Sequence, residues 1–150
     1  AEVDFTSEIQ PYLKAVLGSG AFGDVYLATW RGREVAVKVF NRGYAGATAE
    51  QVESFKAEVL MMTRMGRGCR QIIAIYGACF QQPCMACVYQ YVPGGSLHDR
   101  IYSPTAPPLT YLQVLRIGCD IASGLAYLHP YVVHRDLKPM NVLLDYDGTA

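Results

Sequence analysis

The sequence predicts an α+β fold, a five-stranded antiparallel sheet carrying one helix and then a mainly helical region. Three observations support this. Residues 12–17, 24–30, 34–40, 71–80 and 85–92 are short apolar or alternating stretches separated by turn residues, and in 24–30 Val25, Leu27 and Thr29 alternate with Tyr26, Ala28 and Trp30. Apolar residues recur at helical spacing twice, at Val52, Phe55, Val59 and Met62 and at Val114, Ile117, Ile121, Leu125 and Leu128. Each of these stripes follows a capping box, Thr48 to Gln51 and Thr110 to Gln113, which marks where a helix begins.

The first strand, 12–17, runs into Gly18-Ser19-Gly20-Ala21-Phe22-Gly23. Glycines in a G-x-G-x-x-G spacing let backbone N–H groups approach phosphates with no Cβ in the way. The same spacing marks dinucleotide-binding turns, but those open a helix, whereas here the period of a strand follows. Residues 31–33 are a turn. In 34–40, alternation puts Ala36 and Lys38 on one face and Val35, Val37 and Val39 on the other. A lysine in such a strand either reaches solvent at an edge or has a buried anionic partner. After a loop at 43–46 the first helix follows. Its Glu58, three residues beyond Phe55, projects near the buried stripe, while Glu50 and Glu53 do not; the alternative for Glu58 is a solvated side chain pairing along its own helix. Strands 71–80 and 85–92 are joined by Gln81-Gln82-Pro83. A short capped helix at 96–102, a proline-rich loop at 103–109 and the long helix to 129 come next. Residues 142–145 read as a strand, and Asp147-Gly148 as a two-residue hairpin turn.

Composition narrows the partners. With 13 basic and 13 acidic residues among 150 the formal net charge is zero, which gives no electrostatic footprint for nucleic acid or an anionic membrane. No apolar run approaches the roughly 18 residues that span a bilayer, and the start A-E-V-D-F-T-S-E is no signal peptide, so an intracellular, cytoplasmic or nuclear setting is expected. The odd count of five cysteines suits a reducing compartment. Cys79, Cys84 and Cys87 have the spacing of plant-type iron–sulfur ligands, with Cys119 as a conceivable fourth; the competing reading is of small apolar residues in two strands and a helix. The opening on Ala1 suggests an excerpt of a longer chain.

The most specific stretch is 133–144, V-H-R-D-L-K-P-M-N-V-L-L. It places Asp136, Lys138 and Asn141 on one loop, so a carboxylate, an ammonium and an amide can face one small volume. That set suits phosphoryl transfer: the carboxylate orients or deprotonates a hydroxyl, the ammonium meets the transferring group, and the amide oxygen holds a magnesium ion.

This stretch resembles the catalytic loop of the eukaryotic protein kinases, in the L-K-P-M-N form of the serine/threonine branch. The resemblance implies a two-lobed kinase fold, with a small lobe at 1–92 and the beginning of a large lobe at 93–150. It also implies an ATP-dependent protein serine/threonine kinase using Mg2+, with a protein substrate. Gly18, Ser19, Gly20, Ala21, Phe22 and Gly23 then cover the phosphates, Lys38 in Val35-Ala36-Val37-Lys38 holds the α- and β-phosphates, and Glu58 pairs with Lys38. Residues 71–80 resemble the matching strand of tyrosine-kinase-like and Raf-like kinases, although the usual histidine-proline-asparagine lead-in is here Cys69-Arg70-Gln71. Residues 89–97 resemble the hinge: backbone groups of Gln90 and Val92 pair with an adenine edge, and Ser96 falls at the ribose position. Tyr89 stands as a bulky gatekeeper or as an ordinary half-buried strand aromatic. Val25, Ala36 and Leu143 sandwich the purine. Asp136 is the catalytic acceptor beside Lys138, Asn141 holds the metal, and His134 braces the loop as a packing residue; His98 and His129 are surface residues. The chain stops before a D-F-G motif. An alternative is therefore an inactive nucleotide-binding or docking module, and the 150-residue piece alone is expected to be inactive.

Overall fold

The computed structural model describes residues 2–20, 23–40, 48–81 and 85–150, without the side chains of Gln51 and Glu58. Ala21 and Phe22, the 43–46 loop, the Gln51 half of the first capping box, the Lys38–Glu58 pairing, and Gln82, Pro83 and Cys84 therefore lie outside the described residues. The chain divides into two compact units, residues 1–68 with 73–91 and residues 69–72 with 92–150.

In the first unit β1 (Leu13–Gly20), β2 (Gly23–Trp30), β3 (Arg33–Phe40), β4 (Ile75–Cys79) and β5 (Met85–Gln90) form one sheet in the order β1-β2-β3-β5-β4, every pair antiparallel. The turn from β2 to β3 is tight because Arg31 (φ 50°) and Gly32 (φ 78°) are both left-handed, as a two-residue hairpin matching the strand twist requires. β3 has neighbours on both edges and is covered on both faces. Val35, Val37 and Val39 are buried with Ala28, Trp30, Ala86 and Val88 on one face. On the other, Phe40 packs on the cluster of Phe55 and Val59 from α1 (Ala49–Met65) with Ile75, Met85 and Cys87. The valine/alanine/lysine alternation is thus realised, and burial of each valine contributes about 1.5–3 kcal/mol.

The segment before β1 went unread in the sequence and is built into this unit. Asp4 Oδ1 accepts from the N–H groups of Thr6 and Ser7 and starts a π-helical turn, Phe5–Ile9, followed by a 3₁₀ turn, Gln10–Tyr12. Val3, Phe5 and Ile9 enter the valine cluster, and Val3 N–H donates to the Ala78 carbonyl (2.9 Å). Glu8 accepts from Trp30 Nε1 and pairs with Arg31, both at 3.2 Å.

Several boundaries differ from expectation. β1 continues through the glycines to Gly20, because β2 pairs with it as far as Gly20↔Gly23. The strand expected over 71–80 is reduced to Ile75–Cys79, and residues 69–72 lie with the second unit. Gly124 permits this, since a Cβ there would meet Gln71 Cβ at 3.3 Å. Cys79 pairs with Ala86 and Cys87 with Ala78, but Cys79 belongs to the valine cluster and Cys87 to the α1 cluster. They point to opposite faces of the sheet and cannot bind one iron–sulfur cluster.

The second unit holds α2 (Leu97–Tyr102) and α3 (Tyr111–Leu128), each opened by a reciprocal capping box, Ser96 with Asp99 and Thr110 with Gln113. Leu97, Ile117 and Leu144 form its core, against which Ile121, Val142 and Ala150 pack. Val114, expected in the buried stripe, is 51% exposed because the first turn of α3 lies outside that core. Residues 142–145 make one bridge, Leu143 with Ser96, rather than a strand. The following turn spans three residues, not two. Gly148 N–H donates to Asp145 O (3.0 Å) and Asp145 N–H to Thr149 O (2.9 Å), with Gly148 at φ 79°. A two-residue turn of that hand needs two left-handed residues, and Asp147 is not one.

Candidate active site

The three glycines differ in why they are glycines. A Cβ on Gly23, at φ 139°, would run into the Val39 carbonyl, so this position is dictated by the fit of β2 against β3. Nothing lies within 4 Å of a Cβ built on Gly18, and on Gly20 only the Gly23 carbonyl at 3.9 Å. The described residues place no steric demand for glycine at these two positions.

Next to this hairpin, ladder pairs define one face of the sheet. Val25 is opposite Lys38, and Ala36 is opposite Tyr89, so all four side chains lie on the α1 side. Lys38 is half-buried, with Nζ 5.2 Å from the Phe40 ring centroid on the same face. Tyr89 is half-buried against the α1 cluster. The Gln90 N–H donates to Ala74 O (2.9 Å), so toward a purine edge Gln90 would offer its carbonyl.

In the second unit, residues 94–97 and 142–144 are clamped together. Leu97 N–H donates to Val142 O (2.8 Å) and Leu144 N–H to Gly95 O (2.9 Å). Gly94 is required because a Cβ would overlap the Leu144 carbonyl. This brings Ser96 and Leu143 side by side. The Ser96 hydroxyl is engaged by Asp99, accepting from its N–H (3.1 Å) and donating to Oδ2 (2.5 Å). A ligand at this position meets a serine–aspartate pair. The reading of the sequence missed Asp99, although its spacing from Ser96 is that of a capping box.

The loop at 133–144 brings its three polar side chains together. Lys138 Nζ lies 2.9 Å from Asp136 Oδ2, and Asn141 Nδ2 donates to the same oxygen (2.9 Å) and to the Asp136 carbonyl (2.8 Å). The Lys138 ammonium and then the Asn141 amide hold the Asp136 carboxyl below the usual carboxylate range. Both Asp136 groups are acceptors, so the amide must present nitrogen to them, and its oxygen faces away. An amide oxygen is the hard type of donor that magnesium takes, an ion that keeps several waters and needs few protein ligands. Arg135 is left-handed (φ 61°), an uncommon conformation for a side chain of this size, and sets the turn that aims Asp136. His134 corrects an expectation. It is exposed rather than packed, and braces the loop by accepting the Asp136 N–H at Nδ1 (3.3 Å) and at its carbonyl (2.8 Å). His98 also has company, with its ring 4.7 Å from that of Tyr102. Among the described residues no cluster of three or more His, Cys, Asp or Glu is disposed to hold a metal, and no helix is long and apolar enough to cross a membrane.

The whole-chain comparison agrees with the local geometry. Residues 12–150 match the family model of protein tyrosine and serine/threonine kinases. A leucine-rich repeat receptor-like serine/threonine-protein kinase of Arabidopsis thaliana is 36% identical over 142 residues, covering 92% of this chain and 16% of the relative. A proline-rich receptor-like protein kinase of the same plant is 39% identical over 137 residues, 88% of this chain and 19% of the relative. A receptor protein kinase of Oryza sativa subsp. japonica is 35% identical over 142 residues, 90% of this chain and 15% of the relative. The chain belongs to the protein kinase family. It spans 19% or less of the length of these relatives.

Proposed function

We propose that the protein carrying this chain is an ATP-dependent serine/threonine kinase of the tyrosine-kinase-like, Raf-like group, acting on a protein substrate in a reducing intracellular compartment. The observation that carries the reading is the Asp136–Lys138–Asn141 arrangement, in which one carboxylate oxygen takes both an ammonium and an amide N–H. Magnesium-bound ATP would supply the activated phosphoryl group; Asn141 Oδ1 would hold the metal, and Gly18, Gly20 and Lys38 would hold the phosphates.

The chain's own groups then do the following. Asp136, held ionised, is a weak base, so its contribution is to orient the substrate hydroxyl and accept its proton late, as a loose transition state permits. Its second oxygen, Oδ1, is the one for the hydroxyl, because Oδ2 is occupied. Lys138, tethered at Asp136, offers its remaining N–H bonds to the transferring group. Val25, Ala36 and Leu143 are apolar surfaces for a flat purine, and the Gln90 carbonyl, the Val92 backbone and Ser96 with Asp99 give polar edges for base and ribose. Lys38 is stabilised in this reading by Glu58. The odd count of five cysteines suits such a compartment.

The test is to incubate the protein with magnesium and γ-labelled ATP in the presence of serine-, threonine- and tyrosine-containing peptides. Label is expected on serine or threonine, and lost in Asp136→Ala. Label on tyrosine alone, or equal label in the variant, would overturn the reading.

A further inference from the structure

We propose that Asp120, on α3, is a positioning residue for the proposed phosphoryl transfer. Its two carboxylate oxygens clamp, separately, the segment that follows α1 and the main chain that follows the 133–144 loop. Gln71 Nε2 donates to Asp120 Oδ1 at 3.2 Å, and the Ala150 N–H donates to Asp120 Oδ2 at 3.3 Å. The Cys69 thiol donates to Gln71 Oε1 at 3.4 Å and so fixes which end of the Gln71 amide faces the carboxylate. Cys69-Arg70-Gln71 is the lead-in that departs from the family pattern, and Gln71 is where that departure finds a partner.

The geometry is selective for a carboxylate. Both groups that face position 120 are donors, one an amide NH2 and one a backbone N–H, so the side chain there must accept on both of its terminal atoms. Asparagine would turn its own NH2 toward one of them and leave two donors facing each other. Apolar packing holds the parts in reach. One turn along α3, Gly124 lets Gln71 Cβ and Ile72 approach, and Ala150, like Ile121, packs against the cluster that contains Ile117.

The consequence runs to the site. Chain leaving Asn141 is pinned at its near end by the Leu143–Ser96 bridge and at its far end by Asp120. Segment 69–72, entered from α1 and left into β4, is pinned to the same helix. Asp120 touches no reacting atom; it sets where both segments are anchored. The inference rests on the kinase reading only for the reaction that the anchoring serves.

The experiment compares Asp120→Asn, Gln71→Glu and the double variant in the protein, by amide-proton exchange at Ala150 and by kcat and KM for ATP. Each single variant is expected to raise Ala150 exchange about tenfold, a change of ~1.4 kcal/mol. It should also lower kcat roughly three- to tenfold while leaving KM for ATP within about twofold. In the double variant the new amide at 120 donates to the new carboxylate at 71 and accepts from Ala150, so exchange and kcat are expected to return to within about twofold of the parent. Exchange unmoved by the single variants, or a double variant no better than the two effects added, overturns the clamp. Restored exchange with kcat unmoved throughout overturns the positioning role. A parent that transfers no phosphate overturns the proposed function instead, and the exchange measurement still decides the clamp.

Discussion

β3 and the 133–144 loop each present a charged side chain proposed for the same reaction, and they hold it by opposite means. Lys38 stands on a strand paired on both edges, between Val37 and Val39, which are buried with Ile9 and Trp30. Asp136 stands on a loop in which every residue from 133 to 141 is exposed. Its position comes from five hydrogen-bonding contacts, from Lys138, from Asn141 twice and to His134 twice. Packing ties position to stability, so a fault in the first region unfolds the unit. Exposed hydrogen bonds contribute little net stability, so a fault in the second leaves the fold and removes the chemistry.

The largest expected effect is on the loop side. Asp136→Ala should lower the phosphotransfer rate by about 10²- to 10⁴-fold in a steady-state assay while the melting temperature stays nearly constant. Ile9→Ala tests the opposite case. The residue is 1% exposed in the valine cluster, and the substitution should cost about 2–5 kcal/mol in denaturant unfolding, with phosphotransfer normal in whatever fraction stays folded. The glycines divide the same way within one hairpin. Gly23→Ala should destabilise the protein through its clash with the Val39 carbonyl, whereas Gly18→Ala should leave the melt nearly unchanged and raise KM for ATP.

Two smaller effects are read against pH. Because the Lys138 ammonium is the main cause of the lowered Asp136 carboxyl, Lys138→Met should move the acid limb of the pH–rate profile upward, toward the ordinary carboxylate range. Glu8 is held below its usual value by the Asp4 N–H first, then by Trp30 Nε1–H and Arg31. A lowered carboxylate contributes stability above the ordinary range and loses it as pH falls through the lowered value. Glu8→Gln should therefore lower the melting temperature by only about a degree or two at neutral pH, a difference that closes in acid.

How much could be read in advance follows the same division. The alternation of 34–40 and the stripe from Val52 to Met62 announced the sheet and its helix, because burial imposes a period on sequence. The spacing of Asp136, Lys138 and Asn141 announced the loop, because three polar groups must converge within six residues. What stayed hidden depends on contacts across long sequence separations. The segment 2–12 carries too few apolar residues for a period, and Val3, Phe5 and Ile9 find their place only on the assembled sheet. The shortening of 71–80 depended on Gly124, some fifty residues away, making room for Gln71. The packed role expected of His134 gave way to a hydrogen bond because its loop lies at the surface.

The most direct test follows phosphotransfer and thermal unfolding together in Asp136→Asn, which keeps the shape of the side chain and removes its charge. Loss of at least about two orders of magnitude in rate at an unchanged melting temperature is the expected result. Retained transfer, or transfer lost only in step with unfolding, would contradict the assignment of the chemistry to this exposed, hydrogen-bonded loop.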